Sequence, residues 1–341
     1  MAAREHSADA RKADARRSDA PPGAPTPSPR WRWLRRLLPW GSLVLAIVSA
    51  VSMDRRPERA RLIAAAAVAG WLALGVVALL DQMDLARLGR SGAWLARALR
   101  ASTAMGAQSL IQLCLFFALP FYVRATAVPE QYAFVGVLAL AAAVTLWTPL
   151  CAALLRRPAL ALVLQGTAAF AALGCVLPLV GVSIRWSLVA AAAAIVVGAP
   201  FVVTRHRLVA TLVTAALLTA AALGGTARLI PPAPLRFVSG AIGTHLVARA
   251  LTDARGVFDT PPERLVCLTA IAAPRGLKDR LHHVWRRDGQ RRAEAALEIR
   301  GGRAQGFRAW STQRNVAAGA WTCTVETETG QEIGRVAVTV K

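Results

Sequence analysis

Residues 159–182 read ALALVLQGTAAFAALGCVLPLVGV, without one Asp, Glu, Lys or Arg. As a helix this run would be about 36 Å long, enough for the roughly 30 Å hydrocarbon core of a bilayer. A helix on the surface of a soluble protein is apolar along one stripe, whereas this one is apolar all round. The stretch therefore predicts a membrane-spanning helix. Working outward, the same reading selects Leu37–Met53, Leu62–Leu80, Ala104–Val123, Tyr132–Leu155, Ser187–Val203 and Leu208–Leu229. None of these runs carries an ionisable residue near its middle, where one would oppose insertion by roughly 2.5–3.5 kcal/mol. Backbone polar groups in lipid must satisfy each other, which leaves helices as the economical form. The expectation is a polytopic α-helical membrane bundle of about seven helices over residues 31–230. Pro120, Pro149, Pro178 and Pro200 are expected to kink or end their helices.

Composition agrees. The chain has 341 residues, 55% of them hydrophobic, with a mean hydropathy of +0.43. It carries 41 Lys+Arg against 19 Asp+Glu. The basic residues fall largely between apolar runs, where they act as topology signals, so no nucleic-acid partner is expected. Arg30, Arg32, Arg35, Arg36, Arg87, Arg90, Arg97, Arg100, Arg156, Arg157, Arg205 and Arg207 fall on one side of the threading. Arg55, Arg56, Arg59, Arg61, Arg124, Arg185 and Arg228 fall on the other. The bias favours a cytoplasmic N terminus and an odd number of spans, although the four arginines between the first two spans pull the other way. Residues 1–30 lack apolar periodicity and are expected to form a disordered basic cytoplasmic tail. Arg35-Arg36, the apolar stretch behind it and Val48-Ser49-Ala50 have the shape of a secretory signal. The long preceding tail and the later spans favour an uncleaved first helix. Between Asp81 and Ser102, apolar residues at helical spacing suggest a helix lying on the membrane surface.

Ion and proton pathways are usually marked by ionisable residues inside the membrane, and the spans offer none. The intramembrane polar candidates are Gln108 and Gln112, one turn apart, and Gln165. Hydrogen bonding between helices is the simpler role for these amides. A transporter or membrane-embedded enzyme with a path lined by them is the alternative function.

Beyond Pro231-Pro232 the pattern changes. Residues 231–260 read as a linker or partly strand-forming region. After Pro261-Pro262 the period becomes two. Leu265, Cys267, Thr269 and Ile271 share a face, as do Leu281, His283 and Trp285 before the Asp288-Gly289 turn signal. Further alternating runs cover Ala293–Ile299, Phe307–Thr312, Trp321–Val325 and Val336–Val340. Cys267, Trp285 and Cys323 stand in the order and rough spacing of an immunoglobulin core. The fold class for residues 261–341 is accordingly an all-β, immunoglobulin-like sandwich. In an oxidising compartment Cys267 and Cys323 would form a disulfide, contributing roughly 2–4 kcal/mol. The alternative is two small buried hydrophobes.

Catalytic constellations are hard to find. His282 and His283 are adjacent on a strand and point to opposite faces, so they cannot share a metal ion. His245 is isolated. Ser311 with His283 would supply a nucleophile and a base, but no strained turn or oxyanion motif accompanies them. Gly301-Gly302-Arg303 lacks the lysine and following helix of a phosphate loop. No cofactor or metal is implied. What remains is a basic, tryptophan-bearing surface near Arg303, Arg308, Trp310, Ser311 and Arg314, with Arg286, Arg287, Arg291 and Arg292 flanking the preceding hairpin. Arginine presents a planar fork to carboxylate or phosphate, and tryptophan stacks on sugars or apolar groups. His283, Arg303, Arg308, Trp310 and Ser311 are the binding candidates. The expected partners are the lipid bilayer and an anionic envelope ligand or protein.

Gly106-Ala107-Gln108-Ser109-Leu110-Ile111-Gln112, running into Leu115-Phe116-Phe117-Ala118-Leu119-Pro120-Phe121-Tyr122, resembles uncharacterised bacterial multi-pass inner-membrane proteins. In these a helical part precedes a β-rich domain of unknown function. The resemblance continues through His283-Val284-Trp285, Gly301-Gly302-Arg303, Gly306-Phe307-Arg308, Ser311, Gly319-Ala320-Trp321 and Gly330-Gln331-Glu332-Ile333-Gly334, and covers residues 31–341. It implies a bacterial inner membrane, and with the arginine bias a periplasmic β domain. It implies no activity, and binding or scaffolding is expected rather than catalysis.

Overall fold

The computed structural model describes residues 40, 41, 44, 108–198, 227–303 and 305–341. The N-terminal tail, the Leu62–Leu80 run and the Asp81–Ser102 segment lie outside the described residues. So do nearly all of Leu37–Met53 and Leu208–Leu229. The described helices are α1 (Gln108–Ala125), α2 (Tyr132–Leu146), α3 (Thr148–Leu155), α4 (Pro158–Leu179) and α5 (Ile184–Gly198). Three described stretches are long and apolar enough to cross a membrane: Gln108–Ala125, Pro129–Leu146 and Ala159–Leu179. The apolar helix Ile184–Ala194 is shorter. The count among the described residues is thus three rather than seven.

The expected span Tyr132–Leu155 is two helices, broken at Trp147 (φ −94°, ψ 89°). Pro149 explains the break. It has no N–H to give to the carbonyl four residues back, and its ring crowds that carbonyl. The carbonyl so abandoned is that of Thr145, and it accepts a hydrogen bond from Gln108 Nε2 on α1 at 3.2 Å.

The C-terminal region is all-β. One sheet has the order β1-β5-β8, with β1 at Arg236–Gly243, β5 at Arg264–Ala272 and β8 at Phe307–Arg314. The other has the order β4-β10-β9-β6-β7, where β4 is Val257–Phe258, β6 Lys278–Arg287, β7 Gln290–Arg300, β9 Gly319–Thr327 and β10 Glu332–Val340. Pairing is antiparallel throughout except between β4 and β10. A small hairpin, β2 (Leu246–Val247) with β3 (Ala250–Leu251), stands apart. Residues 231–260 therefore supply four strands, and β1 pairs with β5 from Gly243–Val266 to Arg236–Ala272. The β6–β7 turn is Asp288-Gly289, both with positive φ (50° and 80°), which is the twist a two-residue hairpin requires.

Alternation fills the space between the sheets. Leu265, Cys267, Thr269 and Ile271 of β5 are buried, as are Leu281, His283 and Trp285 of β6 and Trp321, Cys323 and Val325 of β9. Cys267 and Cys323 join the two sheets as a disulfide, with their Cα atoms 6.5 Å apart. The rings of Trp285 and Trp321 meet edge to face at 6.3 Å nearby.

The β domain sits directly on the helices. A single buried apolar cluster runs from Leu115, Tyr122 and Leu179 through Ile184 and Ile230 to Leu235, Leu277, Leu281, Ile299 and Ile333. Polar contacts pin the same seam. Gln131 Nε2 donates to the Glu332 carbonyl at 2.8 Å, and Gln331 Nε2 donates to the Ile230 carbonyl at 2.9 Å. Asp279 Oδ2 accepts the N–H of Ile184, the first residue of α5, at 2.7 Å. A carboxylate from β6 thus caps a helix whose N-terminal dipole favours negative charge. Burial pushes the Asp279 carboxyl upward, against the pull of the Ile184 and Arg280 amides. Asp279→Ala should cost about 1 kcal/mol. Faster hydrogen exchange over residues 183–187 in the detergent-solubilised full chain checks this, and unchanged exchange would mean that Ser183 caps α5 unaided.

Candidate functional site

Two groups of the predicted site residues separate in space. The division follows from strand alternation, because in β8 Ala309 and Ser311 face the interior while Arg308, Trp310 and Thr312 face outward. Of the five binding candidates, Arg303, Arg308 and Trp310 lie on the outer face, whereas Ser311 and His283 are buried. The two belong instead to the core.

That core group is a closed hydrogen-bond network. His283 is 0% exposed. Its Nε2 lies 2.8 Å from Thr269 Oγ1 and its Nδ1 2.8 Å from Ser311 Oγ. Ser311 Oγ also accepts the indole N–H of Trp285 at 2.9 Å. Ser311 Oγ, with one O–H and two lone pairs, can serve the indole and Nδ1 together, and Thr269 meets the other ring nitrogen. Burial holds His283 down at about 4, so it is neutral. The network ties β5 and β8 of one sheet to β6 of the other, and both Ser311 and His283 are buried. Cys267, His283 and Cys323 bring three potential metal-ligand atoms within 4.8 Å of one another. The two sulfurs are bonded to each other, however, so the arrangement is a cystine packed beside an imidazole.

The outward group forms a groove of about 680 Å³ lined by Arg249, Arg303, Gln305, Phe307, Arg308 and Trp310. Arg303 and Gln305 come from the β7–β8 loop. Gly302 (φ 105°) and Gly306 (φ 80°) bend that loop, and the Gly306 N–H bonds to the Arg303 carbonyl at 3.1 Å. The Arg303 guanidinium lies over the Phe307 ring, 5.6 Å from its centroid. Arg308 and Trp310 project from β8, and Trp310 is 45% exposed. None of Arg249, Arg303 and Arg308 pairs with a carboxylate among the described residues.

Arg249 was missed in the sequence. It sits in the β2–β3 turn with φ 62°, beside Ala248 at φ 46°. The base of that hairpin is fixed by Asp253, which accepts the N–H groups of Thr244 and His245. Burial works against the Asp253 carboxylate, but hydrogen bonds from Thr244 and His245 outweigh it and hold the carboxyl at about 2. Only the folded hairpin brings Arg249 to Arg308.

The other arginines expected on this surface lie elsewhere, and those of the β6–β7 hairpin are engaged. Arg286 meets Glu326 at 2.8 Å, Arg287 meets Asp288 at 3.7 Å, Arg291 pairs with Glu294, and Arg292 bonds to Gln290. All four belong to the β6–β7 hairpin. Arg314 lies at the far end of β8, paired in register with Arg264. Of the glutamines, Gln108 bonds to the Thr145 carbonyl, Gln112 is buried on α1, and Gln165 is half-buried on α4.

An apolar helical part that carries an all-β domain on its helix ends is the class of protein these observations define. The chain belongs to the family of unknown function DUF5924, whose model matches residues 28–259, and residues 278–340 match the model of the protein of unknown function DUF2914. No curated protein matches it. The first match ends at Asp259, just after β4, and the second begins with β6 at Lys278. The same two sheets are thus built from both matched regions, with β5 and Cys267 lying between them.

The neutral core histidine makes stability pH-dependent. Unfolded, it protonates near 6.5; folded, it resists until about 4. The unfolded chain therefore binds the proton first as pH falls, and stability drops through that window by up to about 3 kcal/mol. Denaturation of the solubilised full chain, followed by tryptophan fluorescence at pH 7.5 and 4.5, should show this loss. His283→Gln should flatten the difference.

Proposed function

We propose that this chain is an integral membrane protein of the bacterial inner membrane whose periplasmic, immunoglobulin-like β domain binds an anionic component of the cell envelope. The unpaired arginines of the Arg249–Arg303–Arg308–Trp310 groove carry this reading. Three guanidinium groups without a carboxylate partner among the described residues, beside an exposed indole and a phenyl ring, form a receptor for carboxylate or phosphate attached to a sugar or apolar group.

Membrane insertion is supported by the helix surfaces. Val137, Leu140 and Val163 are more than half exposed, as are Tyr132 and Trp186 at the β-domain end and Trp147 about 22 Å along from Tyr132. Apolar side chains between two levels of exposed aromatics suit a bilayer and its interfaces. About seven spans is what the hydropathy pattern expects, and the described residues supply three helices long and apolar enough to cross a membrane. The immunoglobulin-like assignment rests on a cystine between sheets, Trp285 packed beside it, and the β4-β10-β9-β6-β7 and β1-β5-β8 strand orders. A periplasmic location suits the cystine. The hydrogen bond of Gln108 to a carbonyl freed by proline favours packing over transport.

Arg303→Ala with Arg308→Ala should weaken retention of the solubilised full chain on an immobilised phosphate- or carboxylate-bearing envelope polymer by at least tenfold, since each charge-assisted contact is worth about 1.5–3 kcal/mol. Undiminished retention would remove the groove from consideration. Cysteine-labelling topology mapping tests the compartment.

A further inference from the structure

The groove's height above the helix ends narrows the ligand further. The turn at residues 273–277 touches the helical part, since a Cβ on Gly181, in the loop between α4 and α5, would lie 3.4 Å from the Gly276 carbonyl oxygen. The same turn holds the β7–β8 loop: the Gly301 N–H bonds to the Leu277 carbonyl at 2.9 Å and the Gly302 N–H to the Ala273 carbonyl at 3.0 Å. Gly301 has no room for a side chain, because a Cβ there would clash with the Pro274 carbonyl oxygen. Arg303 is thereby fixed at the end of the β domain that faces the helices. Phe307 pairs with Ile271, Arg308 with Ala270 and Trp310 with Leu268, so the groove climbs β8 away from that end. From Arg308 to Trp310 the rise is about 7 Å. The headgroup zone of one leaflet is roughly 5–7 Å deep. On the membrane reading above, Arg303 marks the headgroup end of the groove and Trp310 the end farther from the bilayer.

We infer that the groove receives the phosphate-bearing headgroup of a bilayer lipid, entering from the membrane plane. This rests on the groove being a ligand site at all. Three arginines lining one groove favour a phosphomonoester or diphosphate over a singly charged or zwitterionic group. A volume near 680 Å³ falls in the range of small-molecule pockets, which leaves space beyond the phosphate for a sugar or other polar substituent on Trp310. Anchoring in the bilayer also confines the ligand to the level at which Arg303 waits, which raises its effective concentration.

Native mass spectrometry of the full chain, released from detergent with titrated phosphatidic acid or phosphatidylcholine, tests this. The wild type should prefer phosphatidic acid at least tenfold. Arg303→Ala with Arg308→Ala should lose that preference, while Arg292→Ala with Arg314→Ala removes equal charge outside the groove and should keep it. Glycerol 3-phosphate at the lipid concentration should compete weakly. If it competes equally, the site takes a soluble phosphate and the lipid inference falls. If both double variants lose preference alike, or the wild type has none, the inference also falls. Retention of the envelope polymer then decides whether the groove is a ligand site at all.

Discussion

The seam between the helices and the β domain is the constraint on which the rest of the molecule depends. An apolar cluster continues across it, and three polar groups at the boundary are met from the opposite side. The Ile230 carbonyl is met by Gln331, the Glu332 carbonyl by Gln131, and the first amide of α5 by Asp279. Helix termini leave backbone groups without partners, and burying them unsatisfied costs roughly 1–3 kcal/mol each. Here the strands of the β domain supply the partners. The domain is consequently seated at a fixed height and angle on the helices, and the β7–β8 loop inherits that height through the 273–277 turn.

Within the β domain a second polar device does comparable work. An imidazole between two hydroxyls, with an indole N–H on one of them, cross-links the sheets next to the cystine. Such a network is tolerable in a core because each member is satisfied, and it admits only one register of the facing strands. The cystine restricts the unfolded chain, whereas the histidine network selects among folded alternatives. Their adjacency explains why His283, Trp285 and Ser311 sit where a purely apolar core would have served for stability alone.

Much of the β domain was legible because alternation is a local signal. The strands with Cys267, Trp285 and Cys323 and the Asp288-Gly289 turn are all written in neighbouring residues. Helix length was less legible, since the Tyr132–Leu155 run is uniformly apolar and hydropathy does not register the break that Pro149 imposes at Trp147. The groove was half legible. Arg303, Arg308 and Trp310 are close in sequence, but alternation along β8 should already have separated Ser311 from Trp310. Arg249 was invisible, because its place depends on how a two-residue hairpin folds back. Gly330-Gln331-Glu332-Ile333-Gly334 has a physical role at each residue. Gly330 turns the chain at φ 80°, Gln331 and Glu332 bond across the seam, Ile333 is buried, and Gly334 makes way for the Phe237 ring.

The sharing of both sheets between two matched regions bears on how the chain can be divided. A fragment starting at residue 261 would keep the cystine and the histidine network yet lose β1 and β4. The flank of β5 from Val266 to Ala272 would then lie open, and β10 would lose its outer neighbour at Thr339 and Val340. Bare strand flanks of this kind recruit further copies of themselves. A dissection that respects the hydrogen-bond ladder has to fall before Arg236, and even that exposes the greasy underside formed by Leu235, Leu277 and Ile333, which the helices now shelter.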